Sequence, residues 1–450
     1  MKKTVIYIIL SGWMLAGCGT YSRYHRPDLS TENLYRDMPA DIDTMTIASL
    51  SWREMFTDPK LQSLIETGLE RNADLNVARL RVEAAEAVLM TARLSYLPSL
   101  GLTAEGNANK HDGATAKTYN VGASASWELD IFGKLTAAKR GAALQGSRAY
   151  RQAVQTQLVA TIADSYYTLA MLDAQMTISN RTLENWRTTV RTLEALKKVG
   201  KSNEAGVLQA KANVMRLEAS LLSIRKSISE TENALSAILA MPSHSIGRSD
   251  LAEAAFPDTV SIGVPLQLLS NRPDVRQAEM ELAQAFYATN AARAAFYPNI
   301  TLSGILGWTN NGGGVIVNPG QWLLNAIGSL TQPLFNRGVN IANLKIAKSR
   351  QEEAKLLFRQ SLLNAGKEVN DALTAWQTAK SQIEINARQV ETLCDAVRKT
   401  ESLMRHSNTT YLEVLTAKQS LLEAEVQQLQ TRFERIQSII KLYHALGGGM

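Results

Sequence analysis

The 450-residue chain is short of most features that hold compact proteins together or let them do chemistry. Its two cysteines, Cys18 and Cys394, exclude a disulfide framework. Aromatic residues make up only 6%, and no proline interrupts Leu135 to Val199 or Gly338 to His406. Beyond the N-terminus no run of about 18 apolar residues offers a transmembrane helix; a membrane crossing would have to use β-strands. The five histidines (His25, His111, His244, His406, His444) show no metal-ligand spacing. Gly133-Lys134 lacks the preceding glycine of a phosphate loop, and no Gly-x-Ser-x-Gly elbow is present. The net charge of +6 is small and dispersed, without the basic, aromatic-laced block of a nucleic-acid binder. No enzyme activity, metal, cofactor or nucleic-acid partner is expected.

What is present begins at the N-terminus. Lys2-Lys3 precedes an apolar stretch, Thr4 to Leu15, which runs into Leu15-Ala16-Gly17-Cys18. That is the anatomy of a bacterial lipoprotein signal, with cleavage before Cys18 and lipid on its thiol; an ordinary secretory signal with a chance cysteine is the alternative. Several acyl chains anchor stably where one would not. Gly19 rather than Asp after the cysteine points to the outer membrane. With Cys18 lipidated, Cys394 has no intrachain partner.

The middle of the chain reads twice. Arg93-Leu94-Ser95-Tyr96-Leu97-Pro98 returns as Arg293-Ala294-Ala295-Phe296-Tyr297-Pro298, an offset of 200. Val207-Leu208-Gln209-Ala210-Lys211 returns as Val414-Leu415-Thr416-Ala417-Lys418, an offset of 207. Each copy predicts a helix, a proline, two short alternating segments, a very long helix, a tight turn and another helix. A fold-sized unit used twice belongs to an array. Residues 1–17 form the signal, 18–60 a lipidated extended segment, 61–241 the first repeat, 242–265 a linker and 266–450 the second repeat.

A heptad seam runs through each long helix. The first is Leu158, Ile162, Ser165, Leu169, Leu172, Met176, Ser179, Leu183, Trp186, Val190 and Leu193. The second, from Val369 through Leu373, Trp376, Lys380, Ile383, Ala387, Val390, Cys394, Val397 and Glu401 to Met404, carries two charged interruptions. A sustained 3.5-residue repeat means helices packed along their length. Roughly 65 residues at about 1.5 Å each give a rod on the order of 100 Å.

The alternating segments are Leu100 to Gly106 and Tyr119 to Leu129 around a polar loop, Asn107 to Thr118, and Ile300 to Trp308 with Trp322 to Leu334. Their length and imperfect alternation fit transmembrane β-strands or a pair of soluble hairpins; the anchor and the rods favour the membrane. Four strands cannot close a barrel, and an open edge in lipid is forbidden, so several chains must share one. Three chains, giving twelve strands, leave a passable pore; counting leaves four chains open.

Four motifs in order, together with the signal, resemble the TolC-like outer membrane factors, in their lipoprotein branch serving RND-type efflux pumps. They are Trp52…Phe56-Thr57-Asp58-Pro59-Lys60-Leu61, Arg272-Pro273-Asp274-Val275, Gln332-Pro333-Leu334-Phe335-Asn336-Arg337-Gly338, and Leu442-Tyr443-His444-Ala445-Leu446-Gly447-Gly448-Gly449. The resemblance implies a mainly helical fold: a homotrimeric α-helical barrel continuing into a shared 12-stranded β-barrel in the outer membrane. It implies a periplasmic adaptor and an inner-membrane RND pump as partners, with a long periplasmic helical part and export of small toxic compounds; a channel for type I protein secretion is the alternative. The matching adaptor-contacting tips are Gly200, Lys201, Ser202, Val207, Leu208, Ala210, Ser407, Asn408, Leu415 and Ala417. Small apolar residues at those tips also let neighbouring helices approach. The segment matching the family's closed aperture places Leu412 at an apolar constriction with Glu413 and Thr416 beside it. Thr416 stands where many relatives carry Asp, so an acidic ring at that position is not implied, though Glu413 could supply one nearby.

Overall fold

In the computed structural model the described residues are 22–27, 50–111, 113–145, 148–200, 202–254, 256, 272–309, 321–405 and 411–448. The helices are α1 (Trp52–Met55), α2 (Pro59–Arg71), α3 (Ala73–Leu94), α4 (Lys134–Gln145), α5 (Arg148–Lys198), α6 (Glu204–Ile238), α7 (Pro273–Ala294), α8 (Val339–Arg405) and α9 (Tyr411–Ala445). The strands are β1 (Ser99–His111), β2 (Ala114–Leu129), β3 (Asn299–Thr309) and β4 (Gln321–Thr331). Among the described residues no helix is long and apolar enough to cross a membrane.

The repeat is visible in the elements. Helices α3 and α7 each have 22 residues and start 200 positions apart, while α6 and α9 each have 35 and start 207 apart. Local capping sets several of these boundaries. Asp58 accepts from the Lys60 amide ahead of Pro59, whose fixed φ suits the first helical position. Buried Asn72 accepts from the Leu75 amide to start α3 and donates to the Ile238 carbonyl at the end of α6. Asn203 accepts from the Gly206 amide and opens α6.

The four strands form one antiparallel sheet in the order β1-β2-β3-β4. The segment read as a polar loop, Asn107 to Thr118, is largely strand: Asn107 pairs with Thr118 and His111 with Ala114. Backbone ladder bonds do not depend on apolar alternation, so a hairpin that continues beyond its apolar rows loses its sequence signal but keeps its pairing. At the other end β4 stops at Thr331 rather than Leu334, ahead of Pro333, which has no N–H for the ladder.

The first long helix is described as α4 and α5 on either side of residues 146–147, and the second as the single 67-residue α8. Along α5, eight of the eleven seam positions are buried and Ser165, Met176 and Val190 are half-buried. Along α8 only Val369 and Trp376 are buried, Lys380 and Ala387 are exposed, and the rest are half-buried.

Two compact units cut across the repeats. One comprises residues 1–30, 80–148 and 276–361 and contains the sheet; the other comprises 31–79, 149–275 and 362–450 and contains most of the rods. In the second unit the chain end is fastened by Arg272. Its guanidinium makes a fork with Asp274 (2.9 and 2.7 Å), reaches Glu368 at 2.7 Å and donates to the Ala445 carbonyl at 2.8 Å. Gly447, at φ +84°, lets the tail lie against the Arg272 backbone. Burial lowers the His444 imidazole below its ordinary value, and the Arg272 charge adds to the shift, outweighing Glu368 and Asp274. Burial alone would raise the Asp274 carboxyl, but its bonds to Arg272 hold it below the ordinary range.

Both groups bind protons less readily folded than unfolded. Stability is therefore full above about pH 6.5, falls as the His444 imidazole is forced to charge, and falls again below about pH 4 as Asp274 is protonated. Thermal melting of the purified protein between pH 8 and 2 should show both declines. His444→Gln should flatten the upper one and leave the lower one, and an unchanged profile would remove His444 from the account.

Candidate functional site

The register sorts the sheet into two faces. On one lie Leu100, Leu102, Ala104, Val121, Ala123, Ala125, Trp127 and Leu129. On that same face β3 and β4 add Ile300, Leu302, Leu306 and Trp308, then Trp322, Leu324 and Leu330. Most of these side chains are open to solvent in the single chain, Leu102 by 91% and Leu324 by 79%, while Ala125, Leu129 and Ile300 are half-buried. The opposite face carries Ser99, Thr103, Glu105, Asn120, Ser124, Ser126, Glu128, Thr301, Ser303, Asn325 and Ser329, with Ile305, Leu323 and Ile327 as its apolar members. A soluble hairpin pair would bury its apolar face against something. Here the apolar face is continuous and largely uncovered, and apolar and polar faces alternate as in the strands of a transmembrane barrel.

The dimensions agree. From Ile300 to Trp308 the apolar face runs eight residue steps, roughly 26 Å at about 3.3 Å each, before any strand tilt. Aromatic side chains mark both limits. Trp308 and Trp322 pack at 5.1 Å at one end; near the other, Trp127 donates to the Tyr96 carbonyl and Phe132 stacks on Tyr297 at 5.0 Å. On the polar face Gly122 and Gly307 oppose each other so closely that a Cβ on Gly307 would lie 2.1 Å from the Val121 carbonyl oxygen. The outer edges of β1 and β4 have no partner strand in the sheet.

The second locus is the tip where α5 turns into α6 and α9 begins. Cys18, Lys201, Ser407 and Asn408 lie outside the described residues. Gly200 is exposed at φ +74°, a conformation that disfavours side chains, and Ser202 is half-buried. Val207, Ala210 and Leu415 are not on the surface: they are buried in a cluster with Trp186, Leu193 and Leu217. Apolar periodicity identifies such residues but not the side to which they turn. Leu208 is exposed and Ala417 half-buried. Leu412, Glu413 and Thr416 are all exposed, while Val414 between them is buried.

Several tip residues escaped the sequence reading. The Tyr411 ring lies over Gly206, where a Cβ would come within 2.7 Å of it, so the start of α9 rests directly on the first turn of α6. No sequence pattern signals that contact. Two ion pairs, by contrast, were latent in the repeat. Lys211 pairs with Glu194 and Lys418 with Glu401, both at 2.7 Å, and both partners are related by the 207 offset. Lys418 also donates to Thr189 Oγ1 at 2.8 Å, and Arg181 pairs with Glu425 at 2.7 Å, tying α5 to α9. Glu401, Lys418, Thr189, Arg181 and Glu425 border a cleft of about 1100 Å³ that Trp186, Val397 and Met404 also line.

Opposite faces of one strand should respond oppositely to the same charge. Leu306→Lys, on the apolar face between its centre and the Trp308 row, should cost about 1–3 kcal/mol, whereas Ser303→Lys on the polar face should cost little. Denaturant unfolding from detergent or lipid vesicles measures both, and equal costs would refute the face assignment.

Comparison with known proteins follows the same geometry. The profile of the outer membrane efflux protein family matches residues 64–241 and 264–448. The cation efflux system protein CusC of Escherichia coli O6:H1 is 31% identical over 448 residues, covering 97% of this chain and 96% of that protein. SilC of Salmonella typhimurium, named a probable outer membrane lipoprotein, is 31% identical over 470 residues, covering 100% and 99%. Among solved structures, the outer-membrane channel OprN superposes with a TM-score of 0.86 at 27% identity, covering 95% of this chain and 99% of that one.

Proposed function

The chain belongs to the outer membrane efflux protein family, and on that premise we propose that it works as a homotrimeric exit duct of a tripartite pump. Its place is the outer membrane and its activity is efflux, not protein secretion. Three copies would close a twelve-stranded barrel, and the observation that carries this is the sheet itself: one apolar face, one polar face and two unpaired edges. An adaptor in the periplasm and an RND pump in the inner membrane would deliver small toxic compounds, selected by the pump. No catalytic role is assigned.

Within this reading the two repeats, 61–241 and 266–450, supply equivalent halves of each subunit's wall, joined by 242–265. Cys18 is the lipid attachment site. The adaptor would meet the exposed part of the tip, Gly200 and Leu208 with the neighbouring turns, while Val207, Ala210 and Leu415 hold that surface in shape from within. Leu412, 50% exposed in the single chain, would meet its two symmetry mates at the periplasmic aperture, and a ring of three leucines excludes water. Glu413 and Thr416 stand on the same exposed side of α9.

Leu412→Ala should wet the aperture, raising basal conductance in planar bilayers and admitting vancomycin when the pump is absent. Glu413→Gln tests a charge-based seal: if it opens the pore and Leu412→Ala does not, the apolar gate is wrong. For the anchor, Cys18→Ser should abolish incorporation of a clickable palmitate analogue, with partial loss of efflux because the barrel itself holds the trimer in the membrane. Retained label would sink the assignment of Cys18.

A further inference from the structure

The charges of the sheet are sorted by face and by height. Its acidic and lysine side chains are Glu105, Lys110, Lys117 and Glu128. Both glutamates lie on the polar face, Glu105 opposite Asn120 and Glu128 opposite Thr301. Both lysines lie on the apolar face, in the part of the β1–β2 hairpin that continues past the aromatic row. Going outward on that face, the rows read Ala104·Val121·Trp308·Trp322, then Gly106·Tyr119, then Ala108·Lys117, then Lys110·Thr115.

The order is that of a membrane boundary: hydrocarbon, indole, phenol, ammonium. Lys117 is four residues beyond Val121, roughly 13 Å along the strand, and Lys110 is six beyond Ala104, roughly 20 Å. Antiparallel pairing makes the two lysines diagonal neighbours, about 7–8 Å apart at the backbone and nearer at flexible side-chain ends. Both are exposed. The other ends of the strands lead into α3, α4, α7 and α8, so the hairpin turn is the end that faces away from the periplasm.

We propose that Lys110 and Lys117 form a binding site for the phosphate groups of the phosphorylated glycolipid in the outer leaflet. The outward direction excludes cargo in the lumen as the ligand, since the lumenal charges are the glutamates. Two adjacent ammonium groups on flexible stems, above an aromatic belt, complement closely spaced phosphates at a lipid surface. Three copies in the barrel would place three such sites around its rim, fixing its height in the bilayer.

The inference rests on the barrel reading, so trimer assembly is scored separately. Full-length protein purified in detergent is titrated with bisphosphorylated lipid A and with fully dephosphorylated lipid A, and bound lipid is counted by native mass spectrometry. The wild-type protein should prefer the bisphosphorylated form. Lys110→Ala/Lys117→Ala should weaken that binding by roughly thirty-fold, about five-fold for each ammonium near a lipid surface. Lys110→Arg/Lys117→Arg should retain it, and Glu105→Gln on the opposite face should leave it unchanged. Equal binding of the two lipids by wild type overturns the proposal, as does an alanine variant that forms trimers and binds as well as wild type. If the alanine variant does not assemble, the two-lipid comparison on wild type decides alone.

Discussion

A strand edge in hydrocarbon leaves its amides and carbonyls without partners, each at a cost of several kcal/mol, and the outer edges of β1 and β4 are such edges. Every larger feature of the chain answers to that constraint. Four strands are too few to curl upon themselves, so in lipid the sheet needs further strands, which copies of itself would supply. In the proposed trimer the helices that follow each strand would stand in a ring as well. A seam of one residue in every 3.5 lets such helices pack side by side over their full run. The scarcity of proline and glycine in the rods and their abundance of small residues at the turns follow from the same demand.

The architecture was legible because repetition and periodicity survive in a single sequence. Offsets of 200 and 207 reappear as paired helices of 22 and 35 residues. The alternating segments became strands, and the register then separated lipid face from polar face residue by residue. The hairpin between Asn107 and Thr118 was missed because its signal depends on lipid contact, which ends at the aromatic row, whereas its pairing does not. At the tip the sequence marked Val207, Ala210 and Leu415 as notable without revealing that they turn inward. The contact of Tyr411 with Gly206 was illegible for a different reason: a ring resting on a glycine joins positions 205 apart and leaves no periodic trace.

The two repeats are alike in sequence and unlike in burial, and the difference bears on how copies join. Leu208 and Leu415 occupy equivalent positions, yet Leu415 is 3% exposed and Leu208 56%. Leu415, on α9, packs into the cluster built from Trp186, Leu193 and Val207 on α5 and α6. The same relation applied once more around a ring would set Leu208, on α6, against the α8 and α9 of the next copy. The α8 positions equivalent to Leu183 and Trp186 are Val390 and Leu393, and both are only half-buried in the single chain. An exposed leucine on one side and an incompletely covered seam on the other are complementary surfaces of one contact. Made once inside the chain and once between chains, that contact would close a wall of alternating, nearly equivalent hairpins. The tip ion pairs carry the same signature. Lys418–Glu401 is the more sheltered because α5 of its own chain lies against it through Thr189, while Lys211–Glu194 remains open on the side where a neighbour would stand. In the proposed trimer the duplication would let three chains build a six-fold wall, and the second hairpin, with charged breaks at Lys380 and Glu401 in its seam, would be the half whose packing depends most on that neighbour.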